Sequence, residues 1–176
     1  MTTAPERIVV VGASLAGLTA AQHLRERGFA GTLTLVGDES HLPYDRPPLS
    51  KQVLRGLYSA DTTLPRPPDL GVEFRLGQPA ARLDLSERAV ELGDGSRLPY
   101  DRLLIATGTR ARPWPNPEEA ALAGVFTLRG RDDAQRLGAR LQAKPRRVVL
   151  VGGGFIGFEV ASTCRDLDIP VTLLVR

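Results

Sequence analysis

The sequence predicts an α/β fold with two Rossmann-like units, the first carrying a small antiparallel meander and the second starting near residue 146. A short apolar run, a glycine turn and an amphipathic helical segment follow one another at 7–28, and the same order recurs at 146–176. Between them, the Asp94-Gly95 pair separates two short strand-like runs. Alternating strand and helix patterns are typical of parallel sheets, and an Asp-Gly pair is typical of a tight hairpin.

The composition is that of an ordinary globular protein, with 176 residues, of which 42% are hydrophobic and 24% charged. This length supports one good core and is short for two complete domains. The net charge of +3 comes from interspersed charges, so we expect no nucleic-acid-binding stripe. No apolar run is long enough to span a membrane, and the N-terminus enters a strand too soon to leave room for a targeting peptide. The single cysteine, Cys164, permits no intrachain disulfide and no cysteine-ligated metal cage, so we expect no metal and a reducing cytoplasm.

The first unit has the pattern of a dinucleotide-binding βαβ segment. Arg7–Val11 is a continuous apolar run, as expected of a buried parallel strand, and Leu15–Arg27 has helical periodicity. Gly12 permits the tight turn between them, and Gly17 lets the helix pack closely on the strand. A second strand then leads to Asp38, 21 residues after Gly17, where a carboxylate can reach a ribose hydroxyl.

Ser14 stands where the G-x-G-x-x-G pattern has its middle glycine. Its hydroxyl can donate to a phosphate, and the N-terminus of the following helix favours an anion. The alternative is an α/β unit whose turn merely tolerates glycine.

Residues 42–51, LPYDRPPLSK, form a segment in which three prolines restrict the backbone. Proline fixes φ and has no N–H, so this segment is neither a helix interior nor a central strand. Lys51 is one of only two lysines beside 21 arginines. Lysine carries a compact charge whose pKa can move, which arginine cannot offer. The segment is either an incidental surface loop or a stiff support for a functional lysine.

The middle of the chain predicts further strands. We expect 72–98 to form a small antiparallel meander attached to the first sheet, with the hairpin at Asp94-Gly95. YDRLLIATG at 100–108 predicts a buried strand ending in small residues, at the edge where open α/β sheets bind ligands. A proline-rich crossover precedes a helix predicted at Arg131–Ala143, which ends before Pro145.

The second unit matches the dinucleotide motif fully. Gly152, Gly154 and Gly157 form G-x-G-x-x-G after an apolar strand, and Phe155–Leu167 predicts the helix that follows. Two such segments in one chain suggest two dinucleotides, one at each.

Four segments in this order, GASLAG, PYDRPPLSK, LLIATG and VGGGFIGFEVA, resemble the FAD-dependent pyridine-nucleotide oxidoreductases. The proline segment narrows the resemblance to the NAD(P)H–ferredoxin reductases. It implies a Rossmann-like FAD-binding domain with the antiparallel meander at 1–112 and a crossover and helix at 113–145. It also implies the first βαβ of a second, Rossmann-like NAD(P)-binding domain at 146–176. Members of this family are longer, so we expect the chain to be an N-terminal portion that does not turn over alone.

The resemblance also implies a site. Lys51 is expected beside the flavin N5 edge, paired with Glu159, so that the ammonium favours negative charge on the reduced ring. Glu159 is otherwise a surface residue of its helix. The predicted FAD contacts are Gly12, Ser14, Leu15, Ala16, Gly17, Asp38, Lys51, Ala80, Ala106, Thr107, Gly108 and Arg129. The predicted contacts of the second nucleotide are Gly152, Gly154, Phe155, Ile156, Gly157, Glu159, Val175 and Arg176.

The function implied is transfer of electrons from NAD(P)H through FAD to a two-iron two-sulfur ferredoxin, a small acidic acceptor that serves a monooxygenase or dioxygenase. Relatives that reduce dithiol substrates need a cysteine pair, which this chain lacks, and Cys164 is expected to be a buried apolar residue. Two alternatives stay open at this point. One is a flavin-binding signalling protein resembling apoptosis-inducing factor, and the other is a related flavin reductase with a different acceptor.

The strand after the second glycine motif bears on the choice of nicotinamide nucleotide. NAD-preferring relatives end this strand in an acid that binds both ribose hydroxyls. Here Val175 stands 18 residues after Gly157, and Arg176 follows. An arginine can bind a 2′-phosphate, so we expect NADPH or relaxed use of both nucleotides. If the register is off by one residue, Arg176 is simply solvated.

Overall fold

A computed structural model describes residues 5–175 and divides the chain into two compact units. One unit is made of residues up to Tyr44 together with Thr63–Thr109. The other is made of Asp45–Thr62 together with residues from Arg110 onward. The domain boundaries proposed from the sequence rest on which cofactor each part binds, and they stay a prediction.

The first unit is a parallel sheet with one helix and a separate meander. Its elements are, in chain order, β1 (Arg7–Val11), α1 (Leu15–Glu26), β2 (Thr32–Val36), β3 (Val72–Arg75), β4 (Ala80–Asp84), β5 (Ala89–Leu92), β6 (Arg97–Pro99) and β7 (Arg102–Ile105). The strands β3, β2, β1 and β7 lie side by side in that order, all parallel. The antiparallel meander is β4-β5-β6, and the predicted Asp94-Gly95 hairpin joins β5 to β6.

The central strand β1 is buried on both faces, which explains its unbroken apolar sequence. Ile8 and Val10 pack in a cluster with Ala21 of α1, whereas Val9 packs in a second cluster with Val90 and other residues of the meander region. The core of this unit therefore lies on both sides of the sheet.

Two expectations for this unit are wrong. Val72–Arg75 is not part of the meander but pairs parallel to β2. Its alternation of half-buried Val72 and Phe74 with exposed Glu73 suits an edge strand of either sheet, so the local pattern could not identify the partner. The strand β7 is also not buried: it lies at the edge of the sheet, and Ile105 is 64% exposed.

The second unit combines the proline segment with the second glycine motif. Its elements are a 3₁₀ turn (Pro47–Ser50), α2 (Pro117–Ala120), α3 (Arg131–Gln142), β8 (Val148–Val151), α4 (Phe155–Asp166) and β9 (Val171–Leu174). The strands β8 and β9 pair in parallel, and the 3₁₀ turn packs on α3 and α4. Leu54, Leu141, Val160 and Ile169 are among its buried residues.

The three predicted helices are present, each one residue shorter than predicted at its C-terminus. The residue taken as the last helical one is the C-cap in every case, namely Arg27, Ala143 and Leu167. Among residues 5–175, no helix combines the length and the apolar character that crossing a membrane requires.

Candidate functional site

The first glycine turn brings three chain segments into close backbone contact. Gly12 has a φ of 125°, and a Cβ atom on it would lie 2.1 Å from the carbonyl oxygen of Ala106. A Cβ atom on Gly17 would lie 2.0 Å from the carbonyl oxygen of Gly12. The chain therefore needs glycine at both positions to pack on itself, as the tight turn and close helix packing predicted from the sequence require.

The N-terminus of α1 suits an anionic ligand. Ser14 is the N-cap residue, yet its side chain makes no capping hydrogen bond, and the first turn of α1 carries no acidic residue. Leu15 and Ala16 are exposed. The helix start therefore keeps its positive end and a hydroxyl free of the capping role, which fits the diphosphate of a dinucleotide.

Further predicted contacts lie at the same edge of this sheet. Because β1, β2 and β7 are parallel, the segments that follow them meet at their carboxyl ends. Asp38 is exposed two residues after β2, and Ala106, Thr107 and Gly108 follow β7 directly. Ala80 does not belong to this edge: it begins β4 in the separate meander sheet and is exposed. The sheet edge thus carries a phosphate-type turn and a carboxylate, as a dinucleotide site requires.

The second glycine turn repeats this construction. Gly152 has a φ of 118°, and a Cβ atom on Gly157 would lie 2.4 Å from the Gly152 carbonyl oxygen. Gly154 is the N-cap of α4, and a Cβ atom on it would meet nothing within 4 Å. Among the described residues nothing occupies the space that a side chain at Gly154 would fill, so the turn leaves room for a ligand to approach.

Residues around this second turn are open to solvent. Phe155 is 92% and Ile156 44% exposed at the start of α4. Val175 is 65% exposed, and a Cβ atom on Gly153 would lie 2.8 Å from it. Arg176 lies outside the described residues.

An ion pair joins the proline segment to α4. The Nζ atom of Lys51 lies 3.1 Å from Oε1 of Glu159, and the two side chains are 37% and 35% exposed. Both residues belong to the second compact unit. The structure therefore brings together the two residues that were predicted to act as a pair, although they are 108 positions apart in the sequence.

Two hydroxyl residues that the sequence analysis did not single out complete this cluster. The Ser50 hydroxyl donates to Oε2 of Glu159, and Thr163 Oγ1 donates to the Ser50 carbonyl oxygen at 3.1 Å. Sequence signals existed for both residues, since Ser50 precedes Lys51 and Thr163 follows Glu159 by one helical turn. Serine and threonine have many ordinary roles, however, so these signals are weak.

The electrostatics of the cluster favour an ionised carboxylate. The hydrogen bond from Ser50 and then the one from Lys51 hold the pKa of Glu159 below its usual value, against a smaller opposing effect of burial. The Glu159 carboxylate is therefore ionised at neutral pH, and it accepts hydrogen bonds from two consecutive residues of the turn.

Arg129 lies in the second unit, where its backbone is fixed from both sides. Its N–H donates to Asp133 at 3.0 Å, and its carbonyl oxygen accepts from Arg46 at 3.3 Å. Arg46 belongs to the proline segment and was not among the predicted contacts. The structure thus places the Arg46 guanidinium against the backbone of Arg129.

Cysteine and metal chemistry find no support in the described part of the chain. Cys164 is fully buried in α4, and burial raises the pKa of its thiol. A buried thiol in such surroundings is inert, which agrees with the expected apolar role. Residues 5–175 contain no cluster of three or more histidine, cysteine, aspartate or glutamate side chains that could hold a metal ion.

Comparison with known proteins identifies the class. The family described as "Pyridine nucleotide-disulphide oxidoreductase" matches residues 6–176, and the chain belongs to this family. The chain is 44% identical over 171 residues to the ferredoxin–NAD(+) reductase component of a p-cumate 2,3-dioxygenase system from Pseudomonas putida. It is also 44% identical over 178 residues to the corresponding component of a biphenyl dioxygenase system from Paraburkholderia xenovorans (strain LB400).

Comparison with solved structures gives a similar result. The covalent complex of putidaredoxin reductase with putidaredoxin matches 96% of this chain with a TM-score of 0.89 and 36% identity. The two curated relatives also match 96% of the chain. In all three comparisons the chain spans 42% of the length of the other protein.

Proposed function

We propose that the full-length protein is an FAD-dependent reductase that takes electrons from a nicotinamide nucleotide and passes them to a ferredoxin. The observation that carries the proposal is the Lys51–Glu159 ion pair, which joins the proline turn to the helix of the second dinucleotide-type motif. The names of the relatives, reductase components of ferredoxin-dependent systems, support it.

In this proposal the chain's own residues bind and orient the two cofactors. The glycine turn at Gly12 and the N-terminus of α1 hold the diphosphate of FAD, and the turn at Gly152 holds that of the nicotinamide nucleotide. The chemistry that bound FAD would supply at this site is hydride acceptance and the release of single electrons. The Lys51 ammonium supplies a fixed positive charge that favours negative charge on the reduced cofactor. Glu159 keeps that ammonium in one position.

The proposed acceptor is a small iron–sulfur ferredoxin of the two-iron two-sulfur type that serves an oxygenase. The chain has no cysteine pair, so electrons cannot leave through a dithiol within it. A solved structure of a similar protein holds a reductase joined to its putidaredoxin, which supports an acceptor of this kind. A reducing cytoplasm stays our proposed location.

The test is electron transfer by the purified full-length protein. We expect the purified protein to contain bound FAD, whose absorbance is bleached when NADH is added under anaerobic conditions. We also expect catalytic amounts of the protein to reduce an oxygenase-linked ferredoxin. The proposal would be contradicted if the protein binds no flavin. It would also be contradicted if neither NADH nor NADPH reduces the bound flavin. Flavin reduction without transfer to any ferredoxin would favour another acceptor.

The choice of nucleotide is a separate proposal. The relatives are named for NAD(+), so the NADPH preference expected from Val175 and Arg176 has no support among them, and we propose NADH. The prediction is that kcat/KM is at least tenfold higher with NADH than with NADPH. Val175→Glu should raise this ratio further, because a carboxylate at the strand end binds ribose hydroxyls and repels a 2′-phosphate. A wild-type preference for NADPH would contradict this proposal and support the expectation drawn from Val175 and Arg176.

A further inference from the structure

We propose that Ser50 is a positioning residue that orients Glu159 toward Lys51, and that Thr163 fixes Ser50 in turn. The inference rests on the proposed function, because it concerns the same ion pair. Both oxygens of the Glu159 carboxylate are engaged by neighbours in sequence: Ser50 donates to Oε2 and Lys51 donates to Oε1 at 3.1 Å. The carboxylate is thereby held at two points.

An ion pair of this exposure needs such support. Lys51 and Glu159 are each more than one third exposed, and exposed ion pairs are weak because water screens them and long side chains retain other rotamers. Ser50 differs from both, since it is short and only 6% exposed. Its hydroxyl therefore has few alternatives and can select one orientation of the carboxylate.

Thr163 supplies the anchor for Ser50. Glu159 and Thr163 are four residues apart on α4, so they lie on the same face of the helix. Thr163 is fully buried, and its hydroxyl hydrogen goes to the Ser50 carbonyl oxygen rather than to a carbonyl of its own helix. Ser50 is thus attached to α4 twice, through its side chain and through its backbone.

The prolines before Ser50 make this attachment stiff. Pro47 and Pro48 occupy the first positions of the 3₁₀ turn, where their fixed φ values limit how the backbone can relax. The turn continues into Lys51, whose N–H donates to the Pro48 carbonyl oxygen at 3.1 Å. A displacement of Ser50 would therefore displace Lys51 as well.

The test uses the full-length protein and a double-mutant cycle. Ser50→Ala should slow flavin reduction by NADH by about three- to tenfold, the effect of one hydrogen bond, with flavin content unchanged. In a Glu159→Gln background it should add no further loss, because Ser50 acts through Glu159. Ser50→Thr keeps a hydroxyl and should recover most of the rate. Ser162→Ala, an exposed neighbour on α4, is the matched control and should behave as wild type.

Crystal structures give a readout that does not depend on activity. In Ser50→Ala, and to a smaller degree in Thr163→Val, the Lys51–Glu159 contact should open beyond 4 Å, whereas Ser162→Ala should retain it. An intact contact in Ser50→Ala, or an equal loss of rate with and without Glu159, would overturn the positioning role. If wild type shows no flavin reduction, the proposed function fails, and the crystal structures still decide whether Ser50 positions the pair.

Discussion

Ser14 is the residue at which the first glycine turn departs from the G-x-G-x-x-G pattern. The structure shows why a serine is compatible with the fold: it occupies the N-cap position of α1, where serine is favoured. Its hydroxyl makes no capping bond, so the side chain remains available to a ligand at the helix start. This separation of folding from binding allows a variant that affects only one of them.

Ser14→Asp is that variant. Aspartate is an equally good N-cap, so the apoprotein should unfold at the same temperature as wild type or higher. Its negative charge would face the FAD diphosphate, and we expect FAD affinity to fall about tenfold or more, equivalent to at least about 1.4 kcal/mol. Titration with FAD followed by fluorescence measures it, with Ser14→Ala as the uncharged comparison. Unchanged affinity in Ser14→Asp would place the flavin elsewhere.

A substitution at Gly12 cannot separate an effect on FAD binding from an effect on folding. A side chain there would meet the backbone of Ala106 before it met any ligand, and the φ of 125° is unfavourable for other residues. Loss of flavin in a Gly12 variant would therefore report a damaged fold. This contact was not foreseeable from the motif alone, because Ala106 lies 94 residues further along the chain, directly after β7.

At the scale of elements, Asp101 ties the start of β1 to the strand beside it. Its carboxylate accepts from the N–H groups of Glu6 and Arg7, each at 2.8 Å, and from the Arg7 guanidinium at 3.0 Å. The Arg7 side chain and then the two backbone N–H groups lower the pKa of Asp101 to about 2. A carboxylate with a depressed pKa stabilises the fold above its unfolded-state pKa.

We therefore predict a pH-dependent effect of Asp101→Asn. The variant should unfold at lower urea concentration than wild type at neutral pH. Because the unfolded carboxyl begins to bind protons near 3.8, the difference should shrink below that pH and disappear below about 2. Asp69→Asn, at an exposed aspartate, is the control. A difference that stays constant down to pH 2 would contradict this account.

Elements defined by local sequence were predictable, and those defined by distant partners were not. The glycine turns and the Asp94-Gly95 hairpin follow from backbone requirements that a few neighbouring residues express. The pairing of Val72–Arg75 with β2 and the exposure of β7 depend on tertiary neighbours. An apolar or alternating run of four residues contains no information about which strand will lie beside it.

At the scale of the whole molecule, the residues of the site were likewise only partly predictable from the sequence. Lys51 and Glu159 were paired through resemblance to a family and not through their spacing. Ser50 and Thr163 were missed, because their contact joins positions 113 apart and their hydroxyls carry no distinctive pattern. The two dinucleotide-type turns and the Lys51–Glu159 ion pair nonetheless lie in the described part of the chain, and together they support the proposed reductase.

The most direct test of this account is the rate at which NADH reduces the flavin of full-length Lys51→Met, measured anaerobically by stopped flow. We expect a rate lower by about ten- to a hundredfold, the effect of losing one charge-assisted contact of about 1.5–3 kcal/mol, with flavin content unchanged. Lys144→Met removes the other lysine, whose Nζ donates to the Leu167 carbonyl oxygen at the end of α4, and it should match wild type. A Lys51→Met protein that binds FAD and is reduced at the wild-type rate would contradict the central claim that this lysine serves the redox site.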